Sequence, residues 1–486
     1  MPSCSTFEGS PLRPSLAQKR TLRARPIVVQ GVQNFFRAPR VDPFFNRTEE
    51  LKKFKNNVLN DESCAINVLL GRPNCGKSRF LKKVQDDFEA EEDGRLVLYI
   101  DGRSPGGDLT TPMQISKTLR NQTMSASFLR AIEKLDPSVL ARFEKKVDED
   151  EKFTMEAALK FKGSEEDLKE TLAGLEKLFE DLKKLPKKPV IVLDEANKIM
   201  KWRESDPSNP QLEALFDFLI QVSKQLNLVH VILATSDYFL VGWLAGNGLT
   251  EDKFKRKVLG ELPEKEARDF VFGGAEGTWP GLVNNPDYES LPVPACSDDQ
   301  WREIYEHCGG NIWLLRQCVT DARGEENWGG ALKTAVTGAL SAVDNAAKPG
   351  RLLKRDVAPL WNGAQWKKVL ELITTSPHHA VLQSTLEKEL GKDSKISGEL
   401  ILRSMVKYNL LALRDPSDLA RDLPQEVYGN SMKTVVTLPL PSYVWAAKKL
   451  LQDEDFLEAC EAPQKTVSQW LWTRLVPLLM LNNKKL

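Results

Sequence analysis

The 486-residue chain is poor in histidine, has no paired cysteines, no excess charge of either sign and no long apolar run. Its four histidines include the adjacent His378 and His379, and its seven cysteines (Cys4, Cys64, Cys75, Cys296, Cys308, Cys318 and Cys460) form no CxxC pair. That spacing excludes a zinc cluster of the usual pattern, so a metal would have to use oxygen ligands. With no secretory apolar segment opening the chain, the cysteine pattern is that of an intracellular, reducing compartment. Lys+Arg and Asp+Glu both number 68. The balance argues against a general polycationic nucleic-acid coat and against an acidic tail protein, leaving local basic faces open. The longest apolar stretch, from Leu475 to Leu481, contains Pro477 and falls far short of the roughly 20 residues that cross a bilayer. No membrane span is expected. Hydrophobic residues at 41% and charged residues at 28% match a globular chain, with length for about three domains.

Within residues 1–40 the only acid is Glu8, against Arg13, Lys19, Arg20, Arg23, Arg25, Arg37 and Arg40, with Ser3, Ser5, Ser10 and Ser15 near the start. The composition fits an organellar transit peptide, for a mitochondrion or a plastid, and equally a disordered basic arm. Neither would join a core.

The most informative stretch is the apolar run Ala65-Ile66-Asn67-Val68-Leu69-Leu70, then Gly71-Arg72-Pro73-Asn74-Cys75-Gly76-Lys77-Ser78, then the amphipathic Arg79-Phe80-Leu81-Lys82-Lys83-Val84. Strand, GxxxxGK[ST] turn and helix are the full context of a P-loop. Gly71 and Gly76 let successive backbone N–H groups turn inward toward phosphate oxygens, and the new helix adds its positive end. Lys77 would reach the β and γ phosphates, and the Ser78 hydroxyl would ligate Mg²⁺. Cys75 reads as a loop filler, although a thiol beside a lysine and a helix start has a lowered pKa as its alternative reading.

A P-loop calls for a second apolar strand ending in acid. Pro189-Val190-Ile191-Val192-Leu193-Asp194-Glu195 supplies it. Asp194 would be the magnesium carboxylate, and Glu195 would polarise the attacking water; the bland reading is a buried strand running into a helix cap. The stretches from Leu96 to Ile100 and from Val229 to Ala234 look like further strands, the latter ending at Thr235-Ser236-Asp237, where a polar tip would sense the γ-phosphate. His230, with apolar neighbours, reads as a core histidine. Four short apolar strands separated by helical patterns predict an α/β fold, a three-layer sandwich around a parallel sheet.

In these residues the chain resembles the archaeal-type P-loop ATPases of the AAA+/STAND group and is similar to the NTPase module of crinkler-like proteins. The order of motifs carries the resemblance: Phe44, Phe45, Arg47, Glu50 and Leu51 before the P-loop, Asp194-Glu195-Ala196-Asn197, Ala234-Thr235-Ser236-Asp237, the stretch from Val258 to Ala267, and Cys308-Gly309-Gly310-Asn311 leading to Arg316. The resemblance implies ATP and Mg²⁺ as cofactors. It places Gly71, Arg72, Pro73, Asn74, Cys75, Gly76, Lys77, Ser78 and Arg79 around the phosphates, with Phe45 and Arg47 near the adenine and Arg316 as a candidate sensor. Many STAND relatives carry Gly-x-Pro where Asn311 follows Gly310 here, which puts proline-based sensing in doubt. Arg203 and Arg256, read as loop residues, are the candidates for an arginine finger.

Organisation follows: residues 1–40; an ATPase core over 41–262 with a Lys/Glu-rich helical insertion about 124–187; a helical lid over 263–350; a winged-helix-like domain over 351–450; and C-terminal helices over 451–486. In the insertion Ser164 signals a helix start, with Leu168, Leu172, Leu175, Leu178, Phe179 and Leu182 forming one apolar stripe. Residues 272–299 read as an irregular excursion in the lid. The winged-helix expectation rests on helices over 365–375, 382–390 and 397–413 and a strand from Lys433, with Lys395, Arg403 and Lys407 as DNA contacts if the third helix entered a groove; protein docking or autoinhibition is the other reading. Trp470, Trp472, Leu475, Leu478 and Leu479 are expected to pack on a neighbouring domain.

The leading functional expectation is a slow Mg-dependent ATPase that couples nucleotide state to lid and winged-helix movement. Lys77, Glu195, Thr235 and Ser236 would act in catalysis, and Ser78 and Asp194 would hold the metal. A non-hydrolysing switch or scaffold stands second, and a DNA-acting initiator or mobile-element ATPase third. Expected partners are ATP and another protein or a second copy of the chain; DNA is less favoured.

Overall fold

In the computed structural model the described residues are 44–462, apart from 61, 92–93, 105–107, 136–166, 207, 275–278, 285–291, 353–357 and 393. The segment 1–40, Ser164, and Trp470, Trp472, Leu475, Leu478 and Leu479 lie outside them.

Five strands, β1 (Ile66–Leu70), β2 (Val97–Asp101), β3 (Val190–Asp194), β4 (His230–Thr235) and β5 (Phe254–Val258), form one sheet in the order β2-β3-β4-β1-β5, and every pairing is parallel. β1, β3 and β4 are buried along their whole length, as continuous apolar runs under two covering layers require. Alternate residues feed different cores. Val68, Leu70, Ile191, Leu193, Val231 and Leu233 join one cluster; Leu69, Val190, Val192, Ile232 and Ala234 join the other, with Phe80, Leu81, Val84 and Phe88 of helix Lys77–Ala90. The α/β sandwich is therefore as expected.

The fifth strand was not expected. Phe-Lys-Arg-Lys-Val carries three charges in five residues, and its burial follows from its place at the sheet edge, where charge blunts pairing with other chains. Arg256 lies in mid-strand and Arg203 on helix Lys201–Ser205, so neither is the loop residue an arginine finger was expected to be. Arg203 bonds the Asn247 side chain, and Arg256 pairs with Asp415.

Within the insertion expected over about 124–187, helices are described on either side of residues 136–166, which lie outside the described residues. Helices Ala126–Leu135 and Leu168–Asp181 contribute Phe128, Ile132, Leu168, Leu172, Leu175, Leu178 and Phe179 to the core under the sheet. The second helix is capped by Asp167, whose side chain accepts from the Glu170 N–H at 3.2 Å. An apolar stripe at three- and four-residue spacing buries against whatever layer is nearest, here helices Pro112–Thr123 and Pro210–Ile220.

Helices Glu264–Phe272, Asp298–Cys308 and Ile312–Glu325 enclose a separate core around Phe270, Trp301 and Leu315. Helix Trp328–Ala347 belongs to two cores: Trp328, Ala331 and Leu332 pack in this one, whereas Ala339, Val343 and Ala346 pack with the C-terminal helices. The C-terminal part holds helices Gly363–Thr375, Gln383–Gly391 and Gly398–Lys407 and an antiparallel sheet of β6 (Val381–Leu382), β7 (Ala412–Arg414) and β8 (Val435–Thr437) in the order β6-β8-β7. The helix expected over 397–413 ends at Lys407, because Asn409 takes a left-handed conformation at φ 56°, one that asparagine tolerates better than most residues. Residues 412–414 are strand instead. No helix among the described residues is long and apolar enough to cross a membrane.

Candidate nucleotide site

Parallel register sets the site. Leu70 aligns with Thr235 and Val258, Asp194 with Ala234 and Asp101, so the glycine-rich turn, Thr235, Asp194 and Glu195 all emerge at the carboxyl edge. In open α/β sheets ligands bind at that edge, where strand order reverses. Here the chain leaves β1 for β2, three places away.

Between β1 and helix Lys77–Ala90 the loop turns through Asn74 at φ 60° and Gly76 at φ 97°. At Gly76 a side chain would be strained, and its Cβ would also press on Ile312 at 3.2 Å. Lys77, only 6% exposed, donates from Nζ to the carbonyls of Gly71 at 2.9 Å and Arg72 at 3.0 Å. Its ammonium thus lies over the loop it would share with phosphate. Pro73, Asn74 and Arg79 are exposed, and Cys75 is fully buried, which favours the loop-filler reading of its thiol.

Asp194 is 1% exposed. Its Oδ1 accepts the Glu195 backbone N–H at 3.0 Å and its Oδ2 accepts the Tyr99 hydroxyl at 2.9 Å. Burial first, and the Asp194 carboxylate next, push the Tyr99 phenol far above its usual range, so it stays a donor. Glu195 sits at φ 60°, a conformation that costs a non-glycine residue about 1–3 kcal/mol and persists where the surroundings impose it. Thr235 donates to the Asn197 side-chain oxygen at 3.1 Å and accepts the Asp237 N–H at 2.9 Å. Ser236 follows, half-buried.

Arg103 was not among the expected site residues. It follows β2 on Asp101-Gly102, and its Nη2 donates to Ser78 Oγ and lies 3.5 Å from Asp194 Oδ2 and 3.1 Å from Glu195 Oε1. One cationic nitrogen thus gathers the three oxygens expected to serve metal and water. A basic residue two positions past a strand adjacent to the Asp194 strand is the signal that could have found it.

The remaining expected residues divide. Arg47, 1% exposed, braces the loop from behind: its Nη2 donates to the carbonyls of Cys75 at 2.7 Å and Gly260 at 3.0 Å. Phe45 packs on Phe270 and Trp279, with centroids 5.2 and 5.4 Å apart, and the Arg316 guanidinium lies 5.8 Å over the same Phe270 ring. The Arg72 side chain turns to Glu261 and Thr437. Asn311 caps helix Ile312–Glu325 and donates to the Pro73 carbonyl at 3.0 Å and to Glu261 at 2.9 Å.

The model of an ATPase domain predominantly from Archaea matches residues 44–291, just over half of the chain. The chain belongs to this family. An uncharacterized ATP-binding protein of Methanocaldococcus jannaschii is 25% identical over 237 residues, covering 47% of this chain and 62% of its own length. One from Pyrococcus abyssi is 22% identical over 290 residues, covering 59% of this chain and 74% of its own length. This chain thus spans less than two thirds of the first relative. Among solved structures, the Walker-type ATPase of Pyrococcus abyssi aligns over 83% of this chain and 96% of its own, at 15% identity and a TM-score of 0.48.

Within the ATPase domain, Lys77, Ser78, Asp194, Glu195 and Thr235 converge on one edge. Asn311 and Thr437 reach the loop from beyond the matched segment, and Arg316 reaches the Phe270 ring.

Proposed function

We propose that this chain binds ATP with Mg²⁺ at the Gly71-to-Ser78 turn and hydrolyses it slowly, with nucleotide state linked to the arrangement of the lid and the C-terminal part. The observation that carries the reading is the gathering of Ser78, Asp194 and Glu195 oxygens around one Arg103 nitrogen beside Lys77. Oxygen donors that share one cation suit Mg²⁺, which is held by one or two protein ligands together with substrate phosphates. Among the described residues no group of three or more His, Cys, Asp or Glu offers a dedicated metal cage.

When bound with ATP, Mg²⁺ neutralises charge on the phosphate oxygens. Ser78 and Asp194 would hold it once Arg103 swings away, a cheap movement for a side chain 53% exposed. Lys77 would exchange its two loop carbonyls for phosphate oxygens. Glu195 would take the proton of the attacking water, its backbone steadied by the Asp194 carboxylate. Thr235, tied to Asn197, would report the γ-phosphate through the Asp194 segment, with Ser236 beside it. Phe45 and Arg316, brought together at Phe270, suit a lid that touches the nucleotide, and Arg47 would shape the loop rather than contact the base. With no assigned arginine finger, turnover on the order of 10⁻⁴ s⁻¹ is expected.

Helix Trp328–Ala347, shared by the lid core and the C-terminal core, is the element through which a lid movement would reach the C-terminal part. We read that part as winged-helix-like. Phosphate release with and without Mg²⁺, in wild type and Glu195→Gln, tests turnover. Hydrogen exchange on helix Gly398–Lys407 with an ATP analogue and with ADP tests the linkage; identical protection would defeat it.

A non-hydrolysing switch is the second reading, favoured by the same Arg103, which pairs with both acids and would compete with the metal. Absence of steady-state phosphate release despite tight ATP binding would promote it. The DNA-acting reading is weaker. Lys395 and Arg403 are exposed, but Arg403 pairs with Glu399 at 2.8 Å and Lys407 lies 5.1 Å over the Phe239 ring of the ATPase domain. The expected partner, another protein or a second copy, rests on the resemblance.

A further inference from the structure

We propose that the phosphate loop is completed from outside the ATPase domain: the Arg72 side chain, held by Glu261 and Thr437, and the Pro73 carbonyl, held by Asn311, position the loop, so nucleotide affinity depends on docking of the C-terminal sheet. The proposal rests on the reading that this loop binds ATP.

Arg72 faces two ways. Its backbone carbonyl accepts from Lys77 Nζ at 3.0 Å, while its side chain, 9% exposed, donates to Glu261 Oε2 at 2.7 Å and to Thr437 Oγ1 of β8 at 3.3 Å. Glu261 follows the edge strand β5 and is 3% exposed. Its other oxygen accepts from Asn311 Nδ2 at 2.9 Å, and the same nitrogen donates to the Pro73 carbonyl at 3.0 Å. Two successive loop residues are therefore held by the lid and by the C-terminal sheet.

The C-terminal contact is closely fitted. Gly260 donates its N–H to the Leu419 carbonyl at 3.1 Å, and a Cβ at Gly260 would lie 2.2 Å from Asp422 Oδ1. Asp422 pairs with Arg414 at 2.7 Å, both nearly buried. Along the β5 edge Lys257 pairs with Asp418 and Arg256 with Asp415. These contacts leave the segment that carries them little freedom to shift without disturbing residues 258–261, and hence Glu261 and Arg72.

Lys77 must release the Arg72 carbonyl to reach a phosphate. The loop then relaxes by an amount set by where the Arg72 side chain is anchored. A ligand that needs one loop shape favours the docked arrangement only as far as its affinity differs between docked and undocked states. Arg72 acts here as a positioning residue. A purely structural ion pair would lower stability when broken and leave nucleotide discrimination alone.

The test uses the full chain with Mg²⁺ and fluorescent ADP and a non-hydrolysable fluorescent ATP analogue as probes. Thr437→Val removes one hydroxyl with little change of shape. It should weaken at least one of the two nucleotides about three- to tenfold, the range of one lost hydrogen bond, and shift the ADP-to-ATP-analogue ratio, which a loss of stability alone would leave unchanged. Thr437→Ser should restore the wild-type ratio. Arg72→Met should weaken binding more, and adding Thr437→Val to it should have no further effect, since the two act through one contact. Wild-type affinities for both probes in Thr437→Val, or additive losses in the double variant, would overturn the coupling and leave the ATP reading standing. Wild-type chain that binds neither probe would remove the ATP reading and the coupling together.

Discussion

The two ends of the phosphate loop are held by opposite means. At the Lys77-Ser78 end the partner is Arg103, a half-exposed guanidinium reaching Ser78, Asp194 and Glu195. At the Gly71-to-Pro73 end the partners are Glu261, Asn311 and Thr437, all buried. Exposed ion pairs contribute about 0–1 kcal/mol, whereas removing one member of a buried pair costs about 3–5 kcal/mol. On the proposed reading, the first end exchanges one cation for another. The second is built to stay.

The sharpest way to break the comparison is Lys77→Ala, which should lower ATP affinity at least a hundredfold while thermal unfolding stays near that of wild type, because the lysine bonds Gly71, Arg72 and Cys75 of its own loop. Titration with a fluorescent ATP analogue reads it; equal affinity would sink the phosphate-site assignment. Next is Glu195→Gln, expected to keep ATP and Mg²⁺ binding and to lose roughly 10²- to 10⁴-fold in phosphate release, the usual yield of a general base. Unchanged hydrolysis would mean that Glu195 is not that base.

Stability separates the two ends directly. Arg72→Ala strands Glu261 and should cost about 3–5 kcal/mol in denaturant unfolding. Arg103→Ala should change stability by less than about 1 kcal/mol, and should lower the Mg²⁺ concentration needed for ATP binding because a competitor is gone. Similar costs for the two variants would erase the distinction drawn here.

The smallest effect is on pH dependence. Burial opposes ionisation of Asp422, yet the Arg414 guanidinium, and Arg72 behind it, hold the carboxyl below its usual range. A carboxyl depressed in the folded state gives stability that is present above the unfolded value, near 4, and lost as pH falls through the lower folded value. Asp422→Asn should therefore flatten the acid limb of stability below about pH 4 and lower stability at neutral pH. An unaltered acid limb would show that the pair contributes nothing there.

Much of the candidate site was legible because its residues are close in sequence. Gly71, Gly76, Lys77 and Ser78 lie within eight residues, and an apolar run ending in Asp194-Glu195 marks a buried strand without knowledge of its neighbours. β5 was not legible, since Phe254–Val258 carries the composition of a surface segment and becomes a strand by pairing with β1. The helix stripe from Leu168 to Phe179 was readable, but not the layer that would receive it. Arg103 was overlooked because its meaning depends on β2 lying beside β3.

What the sequence determines by itself is the set of short-range constraints: the turn at Gly76 that only a residue tolerant of positive φ fills well, the lysine and serine that open the helix, and the apolar alternation that feeds two cores. What the tertiary structure alone decided is which distant groups surround that turn. Arg72 and Thr437 are 365 positions apart, and Arg72 and Glu261 are 189 apart. No periodicity links residues at such separations, because the contact comes from packing one folded unit on another and not from the geometry of any single element.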